Sequence, residues 1–295
     1  MRPSKTRPGD TIALVAPAGP VPADLVEKAL PVLRGWGVEV HVGECVRAAS
    51  TGYLSASDEA RAAEFTRAWL DPGVTCVLAA RGGYGSQRML DLVDWTALRA
   101  AGPKMFAGSS DVTALHLAVN VHLGLETLFS PMPATTLFDA VAAEHLRLSL
   151  FEPDSVRTIA SPTSSPLVPG TATGTLVGGN LALLVSSLGA PEQGSARDAL
   201  VVLEDVTESL YRIDRMLTQL LRSGWLDGVH GFVLGSWKSC GEAEAIRALM
   251  LDRLGPLGVP MAWEFGIGHV PASPTIPLGA RATLDADAGT LQVLP

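Results

Sequence analysis

The sequence predicts an α/β protein in two parts: a parallel sheet with helices on both faces, then a mixed α/β half built on shorter strands. Three observations carry this. Residues 11–16, 75–80 and 104–107 are short, near-continuous apolar runs, the pattern of strands buried on both faces, and each is followed by helical spacing. A stretch near 152–170 is dominated by Pro, Ser and Thr and loses all periodicity. Beyond it the strand-like segments are more frequent, and the tail from 280 to 294 reads as two short strands around a turn at 286–289. The expected division is an N-terminal domain over 1–155, a linker over 156–172 and a C-terminal domain over 173–295.

The bulk properties bound the function. With 295 residues, 47% of them hydrophobic and 18% charged, the chain can bury a large core. Its 22 Lys and Arg stand against 30 Asp and Glu, a net charge of −8 with no basic run, so neither nucleic acid nor an anionic membrane is an expected partner. Cys45, Cys76 and Cys240 are far apart and form no CxxC, which argues against a disulfide framework. The six histidines include no HExxH and no Cys partner, so no metal site and no cofactor is expected. The N-terminus is polar, and no apolar run approaches the roughly 18 residues of a membrane span. A soluble, cytoplasmic protein is the expectation.

In order along the chain, strand 11–16 leads to a helix over 23–36 with Leu25, Val26, Leu30, Leu33 and Trp36 at helical spacing, which Pro31 should kink or divide. A strand follows at 38–42. Ser57 can cap a helix over 57–70 whose first turn holds Asp58 and Glu59. Strand 75–80 runs into Arg81-Gly82-Gly83-Tyr84-Gly85, then a short helix carries Met89, Leu90 and Val93. Strand 104–107 is followed by a helix over 111–123. In the second half a helix runs to about 188 after Asn180. A buried strand at 199–203 ends at Glu204 and Asp205, and a helix over 210–221, a strand over 229–234 and a helix over 242–254 follow.

Ligands bind at the carboxyl ends of strands in such sheets. Two carboxyl ends stand out: the Gly-rich loop at 81–85 and the Gly108-Ser109-Ser110 turn. A serine on a tight strand-to-helix turn has its hydroxyl over the sheet edge and helix-start N–H groups beside it, the geometry of a nucleophile. By itself the stretch 106–113 fits a helix N-cap at least as well. A serine nucleophile needs a base, an orienting carboxylate and oxyanion donors. His269 sits among glycines and a proline in a loop, a place for a base or for an ordinary exposed histidine. Glu204 ends an apolar strand and is either paired at a cleft or a plain strand-end carboxylate, with Asp205 its rival. The N–H of Asp111 and the Gly82-Gly83 pair are the available donors. His116 and His122 fall on the helix after Ser110 as surface or packing residues, and His41, His145 and His230 have nothing catalytic beside them.

Taken together the motifs resemble the LD-carboxypeptidases of murein recycling, a family that includes the microcin C immunity proteins. The resemblance rests on an ordered set. It runs from Pro8-Gly9-Asp10 and the strand to Pro17, through Gly52-Tyr53-Leu54 with Asp58 and Arg61, to Arg81-Gly82-Gly83-Tyr84-Gly85 and Gly108-Ser109-Ser110-Asp111. It continues with Pro131-Met132, the stretch 174–181, Leu203-Glu204-Asp205, Tyr211 to Arg215, Gly268-His269 and Pro277-Leu278-Gly279. It implies a Ser-Glu-His triad on Ser110, Glu204 and His269, with oxyanion donors at the N–H groups of Gly83 and Asp111. It further implies substrate contacts among Arg81, Gly82, Tyr84 and Asn180, an N-terminal domain like a class I glutamine amidotransferase (flavodoxin-like), and a homodimer. The expected activity is removal of D-alanine from a murein tetrapeptide. The alternatives are hydrolysis of a peptidyl or aminoacyl sulfamoyl-adenylate, with Trp225, Trp237 or Trp263 as an adenine platform, and a binding module without catalysis. Three departures bear on the substrate: Ser109 replaces the family's aromatic residue, Ala18 a common serine, and Phe129-Ser130 a frequent His-Gly.

Overall fold

A computed structural model describes residues 1–295. Strands β1 (Thr11–Val15), β2 (Glu39–Val42), β3 (Val74–Ala79), β4 (Met105–Gly108) and β5 (Thr127–Phe129) pair in parallel in the order β2-β1-β3-β4-β5. Each apolar run is buried on both faces, as its composition requires. One core, around Leu14, Leu30, Leu33 and Leu78, covers one side of this sheet, and another, around Phe65, Trp69, Phe106 and Leu115, covers the other. The strand order brings the carboxyl ends of β1, β3 and β4 side by side.

The remaining strands are β6 (Thr158–Ala160), β7 (Ser165–Val168), β8 (Thr171–Asn180), β9 (Ala199–Val206), β10 (Gly231–Lys238), β11 (Met261–Trp263), β12 (Ile276–Leu278), β13 (Arg281–Asp285) and β14 (Thr290–Val293). All but β12 form a second, mixed sheet in the order β6-β14-β13-β8-β9-β10-β11-β7. Helices Leu210–Arg222 and Ala243–Leu254 bury Ile213, Leu217, Ile246 and Met250 against one face of it. The other face shares a core with the first sheet, in which Phe129, Ile276 and Leu278 pack with Leu176, Leu200 and Val202.

Four details differ from the sequence reading. The 156–172 segment is not a free linker: β6 and β7 close the two edges of the second sheet. Edge strands tolerate the Pro and Ser that suggested a linker, because their outer backbone groups need no partner strand. The C-terminal half also returns β12 to the first sheet, antiparallel to β5, so the two sequence halves interlock. Residues 171–180 form one long strand, hidden in the sequence by Gly174, Gly178 and Gly179. Gly178 has φ +124°, and a Cβ there would stand 2.1 Å from the Val202 carbonyl oxygen, so close strand contact dictates the glycine. Pro31 does not divide its helix, which runs Ala23–Arg34; its ring lies on the exposed side while Val26, Leu30 and Leu33 hold the buried side.

Candidate active site

β4 ends at Gly108, and the chain turns through Ser109 and Ser110 into a 3₁₀ turn (Ser110–Val112) and the helix Thr113–Ala118. Ser110 has φ +62°. For a residue with a Cβ that is a strained conformation, costing on the order of 1–3 kcal/mol, and it persists only where the surroundings impose it. Ser109, by contrast, is extended. The turn is clamped from below and beside. His116, wholly buried, has Nε2 2.9 Å from the Gly108 carbonyl, and burial drives its pKa down to about 4, so it is a neutral donor to that oxygen. Asp111 is buried with its carboxylate accepting the Ser86 N–H at 2.8 Å, and its carbonyl accepts the Ser86 hydroxyl at 2.6 Å.

The 81–85 loop lies against this turn because β3 and β4 are neighbours. A Cβ on Gly82 would stand 2.9 Å from Ser110 Cβ, 3.1 Å from its Oγ and 3.3 Å from the Asp111 nitrogen, so only glycine permits the approach. The loop is tied in turn to the one after β1: Gly19 N–H donates to the Gly82 carbonyl at 3.0 Å, and Arg81 Nη1 donates to the Pro20 carbonyl at 2.6 Å. Arg61, a fully buried guanidinium, reaches the carbonyls of Pro17 and Gly85 and the carboxylate of Asp58.

Glu204 lies on β9 of the second sheet, and His269 in the segment that leads from β11 to β12. His269 Nδ1 lies 2.6 Å from Glu204 Oε2. A carboxylate can only accept, so Nδ1 carries the proton and Nε2 is left for the cleft. Glu204 is wholly buried, and Gly268 makes room for it: at φ +107°, a Cβ there would stand 2.3 Å from Glu204 Oε2. Burial alone pulls the His269 pKa down, but the hydrogen bond and charge of Glu204, with Asp205 behind it, outweigh this and leave it above the ordinary 6.5. Burial, with Glu204 beside it, pushes Asp205 up to about 6 even though Val206 N–H, Asn180 Nδ2 and Ala182 N–H all donate to it.

Ser109, Ser110, Arg81, Gly82, Gly83 and His269 line one cleft of about 470 Å³. No hydrogen bond joins Ser110 Oγ to the imidazole; such contacts are often long in a free enzyme and tighten with substrate. A shallower depression of about 240 Å³ beside Glu64 contains none of these residues. Two expected substrate contacts lie elsewhere. Asn180 is buried behind the site, its amide donating to Glu204 Oε1 at 3.2 Å and Asp205 Oδ1 at 2.9 Å. Tyr84 turns outward, edge-on to Tyr53 with ring centroids 5.6 Å apart. Trp225, Trp237 and Trp263 are buried in the second sheet's core, and the imidazole is the only aromatic ring lining the cleft. All three cysteines are buried and free. No helix is long and apolar enough to cross a membrane.

Asp139, which the sequence did not mark, and His145, which it set aside as having nothing catalytic beside it, both bind the loop that follows His269. No spacing motif marks either, since each meets its partner across more than a hundred residues of chain.

Residues 12–130 match the LD-carboxypeptidase N-terminal domain and residues 173–284 the LD-carboxypeptidase C-terminal domain. The chain is 54% identical over 296 residues to a putative carboxypeptidase of Streptomyces coelicolor, covering 99% of this chain and 95% of that one. It is 31% identical over 291 residues to the murein tetrapeptide carboxypeptidase of Pseudomonas aeruginosa, covering 94% and 93% respectively. The crystal structure of an MccF-like protein from Bacillus anthracis shares the fold, with a TM-score of 0.88 over 100% of this chain and 99% of that one at 24% identity. Both halves carry the family's domains in order, and the relatives match along nearly their full length: the chain belongs to the LD-carboxypeptidase family and is a carboxypeptidase.

Proposed function

We propose that the protein is a metal-independent serine carboxypeptidase that releases D-alanine from a murein tetrapeptide. The observation that carries this is the 2.6 Å pair of Glu204 and His269 facing the cleft in which Ser110 is held at φ +62°. Ser110 Oγ attacks the carbonyl of the L,D bond while His269 Nε2 takes its proton. Glu204 keeps the imidazole in the required tautomer and stabilises its charged form. The N–H of Gly83, which donates to no group of the chain, and that of Asp111 receive the oxyanion. His269 then protonates the leaving amine, and water, activated by the same imidazole, resolves the acyl-enzyme.

A carboxypeptidase must also bind a free carboxylate one residue beyond the scissile bond. Arg81 is the only arginine or lysine lining the cleft, and the Pro20 carbonyl fixes its Nη1 while the rest of the fork remains for a ligand. Arg81→Met is therefore expected to lower kcat/KM on a tetrapeptide by roughly 10- to 100-fold, the scale of one lost charge-assisted bond. The parent should show the same loss on a substrate ending in D-alaninamide, and the variant should no longer distinguish acid from amide. Equal discrimination by the two proteins would remove Arg81 from this role.

The N-terminal domain is proposed to be of the class I glutamine amidotransferase type, which its β2-β1-β3-β4-β5 order supports. A homodimer, which the family resemblance implies, and a cytoplasmic location, which the sequence composition suggests, belong to the same proposal. A sulfamoyl-adenylate has less support, because none of the three tryptophans reaches the cleft to stack an adenine. Mass spectrometry of products from a murein tetrapeptide and from an aminoacyl sulfamoyl-adenylate tests the reading. Release of D-alanine from the first, with the second intact, is the expected result; cleavage of the second alone would replace it.

A further inference from the structure

His269 lies where the chain leaves one sheet for the other: β11 before it belongs to the second sheet, and β12 after it belongs to the first. Its Nδ1 is fixed to Glu204, which orients the ring relative to the second sheet. The nucleophile Ser110 stands on the first. The Nε2-to-Oγ approach therefore depends on what ties the crossing segment, 270–275, to the first sheet's side.

That tie is specific. Asp139 caps the helix Ala140–Phe151, its Oδ1 accepting the N–H groups of Val141 and Ala142 at 3.0 and 2.9 Å. Its second oxygen, Oδ2, accepts the Ala272 N–H at 2.7 Å. Farther along the same helix, His145 Nδ1 lies 3.1 Å from the Thr275 nitrogen and accepts its N–H. Between these anchors the segment is tightly folded: Val270 N–H donates to the Gly268 carbonyl, Gly268 N–H donates to Ser273 Oγ at 3.0 Å, and Ala272 takes a left-handed φ of +55°. Residues just before Asp139, Thr135 to Leu137, line the same cleft as His269, so the helix start that holds the loop also continues the cleft wall.

We infer that Asp139 and His145 are positioning residues: together they strap the 270–275 loop to the helix Ala140–Phe151 and so set the distance between His269 Nε2 and Ser110 Oγ. The inference rests on the Ser110–His269 reading above. The chemistry of both anchors suits the task. Burial disfavours the Asp139 charge, but the three N–H donors outweigh it and hold the carboxyl below its usual range. Burial lowers the His145 pKa, which keeps Nδ1 an acceptor at neutral pH. A displacement of about 1 Å at the reacting atoms can cost up to about 100-fold in rate.

The test uses Asp139→Asn, His145→Leu and His145→Gln in the full chain. In Asp139→Asn the amide oxygen can keep the helix cap while its NH₂ group meets the Ala272 N–H, donor against donor, so cap and strap are separated. Gln at 145 restores an acceptor that Leu lacks. The readout is the rate at which a fluorophosphonate labels Ser110, located by peptide mass spectrometry, together with the thermal midpoint and the pH profile of labelling. Asp139→Asn and His145→Leu are expected to label roughly 10- to 100-fold more slowly. Their acid limb should keep its midpoint, because the Glu204–His269 pair is intact, and His145→Gln should recover most of the rate. Parent-like rates in both weakened variants would overturn the strap. So would a loss that follows the thermal midpoint and is not recovered by Gln. A parent that labels elsewhere than Ser110 would instead overturn the nucleophile assignment, and the strap with it.

Discussion

Ser110→Ala is expected to lower kcat/KM by roughly 10⁴-fold or more, whereas Ser109→Ala keeps most of the activity. Both hydroxyls line the cleft, so proximity to it does not separate them. Backbone geometry does. Ser109 is extended and free to follow the strand, while Ser110 is held at φ +62°, against the glycine loop and at the first position of the helical turn. A nucleophile gains from that strain, because the turn lifts Oγ over the sheet edge and leaves the following N–H beside the developing charge. Steady-state hydrolysis of the tetrapeptide by the two variants decides the matter. An inactive Ser109→Ala beside a fully active Ser110→Ala would move the nucleophile one residue back.

Glu204→Gln should cost about 10⁴-fold in kcat, although it is nearly isosteric. The reason lies in Asn180. Its Nδ2 donates to Glu204 Oε1, so a glutamine would turn its own oxygen toward Asn180 and its NH₂ toward His269 Nδ1. The imidazole would then carry its proton on Nε2, where it cannot accept one from Ser110. The pH profile should change in a defined direction. In the parent, His269 must be neutral to act as base, and its pKa lies above 6.5, so kcat/KM climbs with pH through that raised value. In the variant the Glu204 hydrogen bond and charge are gone while burial and the lesser pull of the Asp205 charge stay, so the limb moves to lower pH as the plateau falls. The same pair contributes to folding stability with the opposite sense: its share is complete below the ordinary histidine pKa of 6.5 and is lost as pH rises through the raised folded value. A limb that does not move, measured by kcat/KM from pH 5 to 9 (roughly the histidine range), would show that Glu204 is not the imidazole's partner.

The sequence by itself determined the parallel first sheet, the turn at 106–113 and the Gly-rich loop beside it, and through the family resemblance it named the serine, glutamate and histidine of the proposed triad. The sheet, the turn and the loop are legible because each is a local pattern. An apolar run with no alternation needs burial on both faces. Serine at a strand-to-helix turn and glycines at a carboxyl end are written in consecutive residues. The local residues alone fit Ser110 to a helix cap or a nucleophile and set Glu204 level with Asp205; the family resemblance chose Ser110 and Glu204, but which carboxylate meets the imidazole depends on what stands across from it. Only the tertiary structure decided which carboxylate bonds the imidazole. Glu204 rather than Asp205 reaches the imidazole, and Asp205 is occupied by three donors of its own. Asn180 and Tyr84 were legible as motif residues but not as to direction: one faces inward on the two carboxylates, the other outward on Tyr53. The misread linker and the return of β12 have the same cause. Edge strands and short returning strands carry little periodicity, since partners distant in sequence hold them. Asp139 went unmarked and His145 was set aside for that reason too. Their partners are single backbone N–H groups some 130 residues away, and a backbone N–H leaves no trace in the identity of a side chain.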